Sequence, residues 1–144
     1  MIKRLKYVLV DDNEAYRKAL RDLLLTQFDA DILAEAANAE DVLKIENISR
    51  ADIILMDVMM PLKNGIELTK ELLWFKDSKL KIIAITMHTD RVYLKELLET
   101  GFKGCIFKND IAKQLEKAIE KVMNGKLFFP NDILLDDYNQ KQID

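Results

Sequence analysis

Cysteine is all but missing from this chain. Cys105 stands alone among 144 residues, which rules out an internal disulfide framework and fits a reducing compartment; the thiol reads as a small buried strand residue. Histidine is equally scarce. With His88 the only one, no His/Cys set exists at the spacings that a zinc or redox site needs. Four glycines and two prolines are too few for a fibrous or low-complexity chain. Together with 49% hydrophobic and 33% charged residues, they describe one well-packed, helix-rich domain. No block of a single charge sign stands out. The 22 basic and 25 acidic residues leave −3, and beyond Lys3-Arg4-Leu5-Lys6 no basic run exists with which this chain itself would grip nucleic acid. Long apolar runs are also absent. Tyr7-Val8-Leu9-Val10 is too short for a signal-peptide core or a membrane span, so a cytoplasmic location without membrane contact is expected.

What the chain does contain is alternation. Short, β-branched apolar runs at Lys6–Val10, Asp31–Glu35, Asp52–Met56, Lys81–Thr86 and Gly104–Lys108 are separated by segments of helical period, the pattern of repeated βα units. Near-continuous apolar strands belong to parallel sheets covered on both faces. The expected fold class is therefore α/β, a doubly wound five-stranded parallel sheet with flavodoxin-like order 2-1-3-4-5 and helices on both faces. Helices are predicted over Asn13–Phe28, with Asn13 as cap and Leu20, Leu23, Leu24 and Phe28 on one stripe, then near Ala39–Glu46, Gly65–Phe75 and Arg91–Thr100. A last helix opens at Asp110 as cap and stops at Asn124-Gly125. The domain is expected to span residues 1–125. Residues 126–144 read as a linker or tail, because Pro130, Asn131 and Asp132 break the helix and too little chain follows for another domain.

In an open parallel sheet, ligands bind at the carboxyl ends of the strands. Here those ends carry Asp11 and Asp12, Asp57, Thr86 and Lys108. With strands one and three adjacent, three carboxylates crowd together, and each disfavours ionisation of the next unless a cation sits among them. Mg²⁺ suits an all-oxygen set and keeps waters that an incoming phosphate can replace. A phosphoryl group in transfer spreads negative charge over its oxygens. It calls for a nucleophile, a metal, a cation and a hydrogen-bond donor, and Asp57, Mg²⁺, Lys108 and Thr86 supply one of each. No residue of the set serves as a base for hydrolysis, so a lasting aspartyl phosphate suits a switch better than a turnover enzyme. Singly, these residues are ordinary turn acids, a turn hydroxyl and a surface lysine; the joint placement carries the argument.

From Lys6 to Asn124 the sequence resembles the receiver domains of two-component response regulators. The most specific piece is Asp57-Val58-Met59-Met60-Pro61-Leu62-Lys63-Asn64-Gly65, which looks like the family's phosphoacceptor loop, with Pro61 and Gly65 shaping the turn into the next helix. The resemblance implies that a sensor histidine kinase donates the phosphoryl group to Asp57. It also implies that Asp12 and Asp57 ligate the metal directly, Asp11 through water, and Met59 through its backbone carbonyl. Met59 and His88, each two residues beyond a site residue, match positions that tune access of the hydrolytic water, although His88 reads first as a solvated loop residue. Phosphorylation is expected to draw Thr86 inward and repack the surface of helix 91–100, strand 104–108 and helix 110–124, through which a homodimer would form.

Two departures from the family pattern stand out. Cys105 occupies the place of the usual aromatic switch residue, with Phe107 on the same strand parity, and Asn109 replaces a proline common after the lysine. Lys108-Asn109-Asp110 and Gly125-Lys126-Leu127-Phe128-Phe129-Pro130 are most similar to receivers that carry a LuxR-type helix-turn-helix output domain. That domain, about 60 residues with a recognition helix, is not found in this sequence. The competing readings are a degenerate receiver signalling without phosphate, a metal-dependent phosphatase and a flavodoxin-like flavin carrier. The acidic first loop counts against the last, whose phosphate cradle favours Gly, Ser and Thr.

Overall fold

A computed structural model describes residues 4–60, 62–88, 90–130 and 133–134. Five strands, β1 (Lys6–Val10), β2 (Asp31–Ala36), β3 (Ile53–Asp57), β4 (Ile82–Thr86) and β5 (Gly104–Phe107), form one sheet of order 2-1-3-4-5. Every pairing is parallel. The helices are α1 (Glu14–Gln27), α2 (Ala39–Leu43), α3 (Gly65–Glu71), α4 (Arg91–Thr100) and α5 (Ile111–Met123). Both the fold class and the strand order are those expected from the sequence.

Strand parity divides the core into two layers. Tyr7, Leu9, Ile53, Leu55, Ile83, Ile85 and Ile106 point to the face covered by Leu20 and Leu24 of α1 and Leu115, Ala118, Ile119 and Val122 of α5. Their neighbours Val8, Val10, Ile54, Met56, Ile82, Ala84 and Cys105 point to the opposite face, against Val42 of α2, Leu68 of α3 and Leu94 and Leu97 of α4. Because side chains alternate across a strand, near-continuous apolar runs are what a sheet buried on both faces demands. All five residues of β3 and of β4 are buried. The central strands are thereby covered on both faces, and they end together at one edge.

Asparagine and aspartate open four of the helices. The side chain of Asn13 accepts from the Tyr16 N–H, that of Asn38 from Asp41, that of Asn64 from Ile66 and Glu67, and that of Asp90 from Val92. Each satisfies donors that lack an intrahelical partner. Helix α5 departs from expectation. A 3₁₀ turn over Lys108–Asp110 leads into it, and the Asp110 side chain makes no capping bond; the turn's own backbone takes up the entry. Helix α2 stops at Leu43 because the Lys44 N–H turns back to the Asp41 and Val42 carbonyls. After α3, Leu72–Lys76 forms a π-helical turn that buries Leu72 and leaves Trp74 and Phe75 facing solvent. Leu23, placed on the buried stripe by periodicity, is only partly covered.

The described residues of the stretch read from the sequence as a linker or tail, 126–130 and 133–134, lie against the domain. Phe128 bridges to Gly104, its carbonyl accepts from the Cys105 N–H at 2.9 Å and its N–H donates to Lys103 at 3.0 Å. Phe129 and Ile133 are buried in the core layer of α2, α3 and α4. Order 2-1-3-4-5 leaves β5 as an edge strand, and an edge offers unpaired backbone groups to any extended chain passing alongside. Gly125, at φ +78°, supplies the left-handed reversal that sends the chain there.

Leu62 sits at φ +70° and is fully exposed. A side chain in the left-handed region costs roughly 1–2 kcal/mol, and this one has no packing to offset it. Leu62→Gly is expected to raise stability by roughly 0.5–1 kcal/mol after the added freedom of the unfolded chain is subtracted. A denaturation midpoint below that of the wild type would refute the strain.

Candidate functional site

Register alone brings the acids together. Val10 pairs with Met56, so the next residues, Asp11 and Asp57, leave adjacent strands side by side. Asp11, Asp12 and Asp57 each present a carboxylate oxygen within 4.8 Å of the others. Asp11 and Asp57 are buried, whereas Asp12 is exposed at the mouth. Lys108, just past β5, places its Nζ 3.0 Å from Asp11 Oδ2 and 3.6 Å from Asp57 Oδ2. Two of the three carboxylates thus share one close ammonium. Burial, and then the Asp11 charge, push the Asp57 carboxyl up to about 7, while Lys108 pulls the other way. A carboxylate that holds its proton so readily sits in a field that favours added positive charge.

The backbone holds the acids in place. Asp11 donates its N–H to the Ala36 carbonyl at 3.1 Å, and its Oδ1 accepts from the Asn13 N–H at 2.8 Å. Its carbonyl accepts from Arg17 Nη1 at 2.6 Å, and Arg17 is itself paired with Glu35 at 3.1 Å. Asp57 Oδ1 accepts from the Met59 N–H at 3.4 Å. Thr86 closes β4, fully buried, its Oγ1 accepting from the His88 N–H at 3.1 Å.

Asp11, Asp12, Asp57 and Lys108 come together here, and Thr86 ends the neighbouring strand one residue beyond Ile85, the partner of Asp57. Met59 lies exposed beside Asp57, and His88 is exposed with its ring edge-on to Tyr93 of α4, centroids 5.4 Å apart. Cys105 is buried, and that burial pushes its thiol up to about 12, which makes it core and not a nucleophile. Pro61 lies outside the described residues. Gly65 serves by closeness: a Cβ there would stand 2.8 Å from Val58 Cα and 3.0 Å from the Asp57 carbonyl oxygen. Two neighbours were not singled out from the sequence. Arg17 braces Asp11, and Tyr16 extends the Leu20–Leu24 stripe of α1 one turn back, onto the pocket.

The donor set fits a small hard cation, being all oxygen and rich in charge. No described helix is long and apolar enough to cross a membrane.

Comparisons with known proteins agree with this geometry. The family model for the response regulator receiver domain matches residues 8–120. The transcriptional regulatory protein LnrK of Bacillus subtilis is 30% identical over 129 residues, covering 90% of this chain and 58% of that protein. DegU of Brevibacillus brevis is 27% identical over 122 residues, covering 85% and 51%. This chain therefore spans between half and two thirds of such relatives. Among solved structures, a LuxR-family two-component response regulator from Aurantimonas sp. SI85-9A1 superposes with a TM-score of 0.81 at 25% identity, covering 99% of this chain and all of that one. The isolated receiver domain of Salmonella RcsB, at 22% identity and a TM-score of 0.78, shares the fold. By its family match, its fold and its acidic strand-end pocket, this chain belongs to the response regulator receiver domain family.

Proposed function

We propose that Asp57 accepts a phosphoryl group from a phosphohistidine of a sensor histidine kinase and that the resulting aspartyl phosphate switches the domain. One observation carries this reading: a buried carboxylate, crowded by two others and served by one lysine, stands at the end of the central strand of the receiver fold. An Asp57 oxygen attacks phosphorus, the phosphorus–nitrogen bond of the donor breaks, and the imidazole leaves with the electron pair. Lys108 pairs with one phosphoryl oxygen and the Thr86 hydroxyl donates to another, so charge is met on two sides as it spreads. Asp12 and Asp57, with Asp11 and the Met59 carbonyl, would hold Mg²⁺, which when bound supplies positive charge to the transferring oxygens. Asp11 and Lys108 are already paired, so the loop enters the reaction braced.

The transferred group then recruits Thr86 and shifts the α4, β5 and α5 surface, the face through which a second copy would pair. Since the relatives are transcriptional regulators about one and a half times as long, we infer that the switch controls a DNA-binding output and that this domain itself contacts no nucleic acid. The test is labelling by a small phosphodonor such as acetyl phosphate. One phosphoryl group per chain is expected, mapped to Asp57 and lost when Mg²⁺ is chelated. Label on another residue would overturn the assignment.

Met59, exposed at the mouth, covers the approach of water to the phosphoryl group. Met59→Asn exchanges a thioether for an amide that can hold water, and is expected to shorten the phosphoryl lifetime roughly three- to tenfold. An unchanged or longer lifetime would count against the shield.

A further inference from the structure

We propose that Tyr16 is a positioning residue for Lys108, holding it at the pocket from two directions. The inference rests on the reading of Lys108 as the phosphoryl-binding cation. Tyr16 reaches the site because Asn13 caps its N–H and starts α1 there, which turns the third helical residue toward the ends of β1 and β5. Two separate contacts follow. The Tyr16 hydroxyl donates to the Lys108 carbonyl at 3.2 Å, and the Lys108 ammonium lies 4.5 Å from the centre of the Tyr16 ring.

The first contact fixes the backbone where β5 passes into the 3₁₀ turn. The second fixes the charge. A lysine is a compact charge on a flexible stem, and this one faces Asp11 at 3.0 Å and Asp57 at 3.6 Å. A ring on the remaining side attracts the ammonium without bringing a carboxylate of its own. When phosphoryl oxygens enter, the ammonium can exchange a carboxylate for them and keep the ring throughout. A leucine at position 16 would fill similar space yet leave the lysine to the carboxylates or to water.

The test compares Tyr16→Phe, which keeps the ring, with Tyr16→Leu and Tyr16→Met, which do not. In the metal-free protein the Lys108 ε-methylene protons should resonate upfield of other lysines, stay so in Tyr16→Phe and return to ordinary values in the other two. Acetyl phosphate labelling should slow about twofold in Tyr16→Phe and about tenfold in Tyr16→Leu or Tyr16→Met. In a Lys108→Ala background the Tyr16 substitutions should add little further loss. Either aliphatic variant decides the matter if the other fails to fold. Labelling of Tyr16→Leu or Tyr16→Met at the wild-type rate, or a full tenfold loss persisting without Lys108, overturns the proposal. A Lys108→Ala protein that labels like wild type overturns instead the reading of Lys108 on which it rests.

Discussion

Asp57→Asn is expected to take no label from a phosphodonor at any Mg²⁺ concentration, and yet to fold more stably than wild type at neutral pH without metal. The two effects share one cause. An amide nitrogen or oxygen is no nucleophile toward phosphorus, so the covalent product is lost outright. The same replacement removes a buried charge that the fold tolerates poorly. Burial and Asp11 hold the Asp57 carboxyl up at about 7 in the native state, against about 4 in an unfolded chain. Between those values the native state binds more protons than the unfolded one, so stability falls as pH rises through that window. Above about 7 the destabilisation is complete; near pH 4 it is absent. Asp57→Asn should therefore gain roughly 1–2 kcal/mol more over wild type at pH 8 than at pH 5, read from denaturant midpoints in chelator. Added Mg²⁺ should narrow the gap at pH 8 by stabilising only the wild type. An equal difference at both pH values would show that the Asp57 carboxyl titrates in its ordinary range.

Gly65→Ala carries the second large effect. The added Cβ would meet Val58 Cα at 2.8 Å, the Asp57 carbonyl oxygen at 3.0 Å and Met56 Sδ at 3.2 Å. Two of the three are backbone atoms of the strand end that presents the nucleophile, so the methyl group must displace the loop. Overpacking of this kind costs roughly 1–3 kcal/mol. A displacement near 1 Å at a reacting group lowers its rate on the order of a hundredfold. Gly125→Ala is the informative comparison. At Gly125 the backbone is left-handed, φ +78°, and a Cβ would meet nothing within 4 Å, so about 1 kcal/mol of stability should go while labelling stays near wild type. If Gly65→Ala labels as fast as Gly125→Ala, the close approach at Gly65 does not position Asp57.

The runs at 6–10, 31–35, 52–56, 81–86 and 104–108 marked strands because a sheet covered on both faces leaves its central strands no polar position, and β3 and β4 are buried along their whole length. The start of α1 was open to reading because the Asn13 amide meets the Tyr16 N–H, whereas the caps at Asn38, Asn64 and Asp90 emerge only from the structure. Asp110 has the same chemistry, but a 3₁₀ turn makes the entry without it. The docking of Phe128, Phe129 and Ile133 was not legible, because its cause is the open edge of β5, a feature of strand order and not of the segment itself.

What the sequence determined by itself was local and periodic: which residues alternate, which turn, and which acids and which lysine close the strands. Those properties depend on near neighbours along the chain, so they survive without coordinates. Only the tertiary structure decided that Asp11 follows a residue paired with Met56, that Lys108 stands 3.0 Å from one acid and 3.6 Å from another, and that Tyr16 lies over it. Such distances join residues up to 97 positions apart, as Asp11 and Lys108 show, and are fixed by strand register and helix packing, which no single segment encodes.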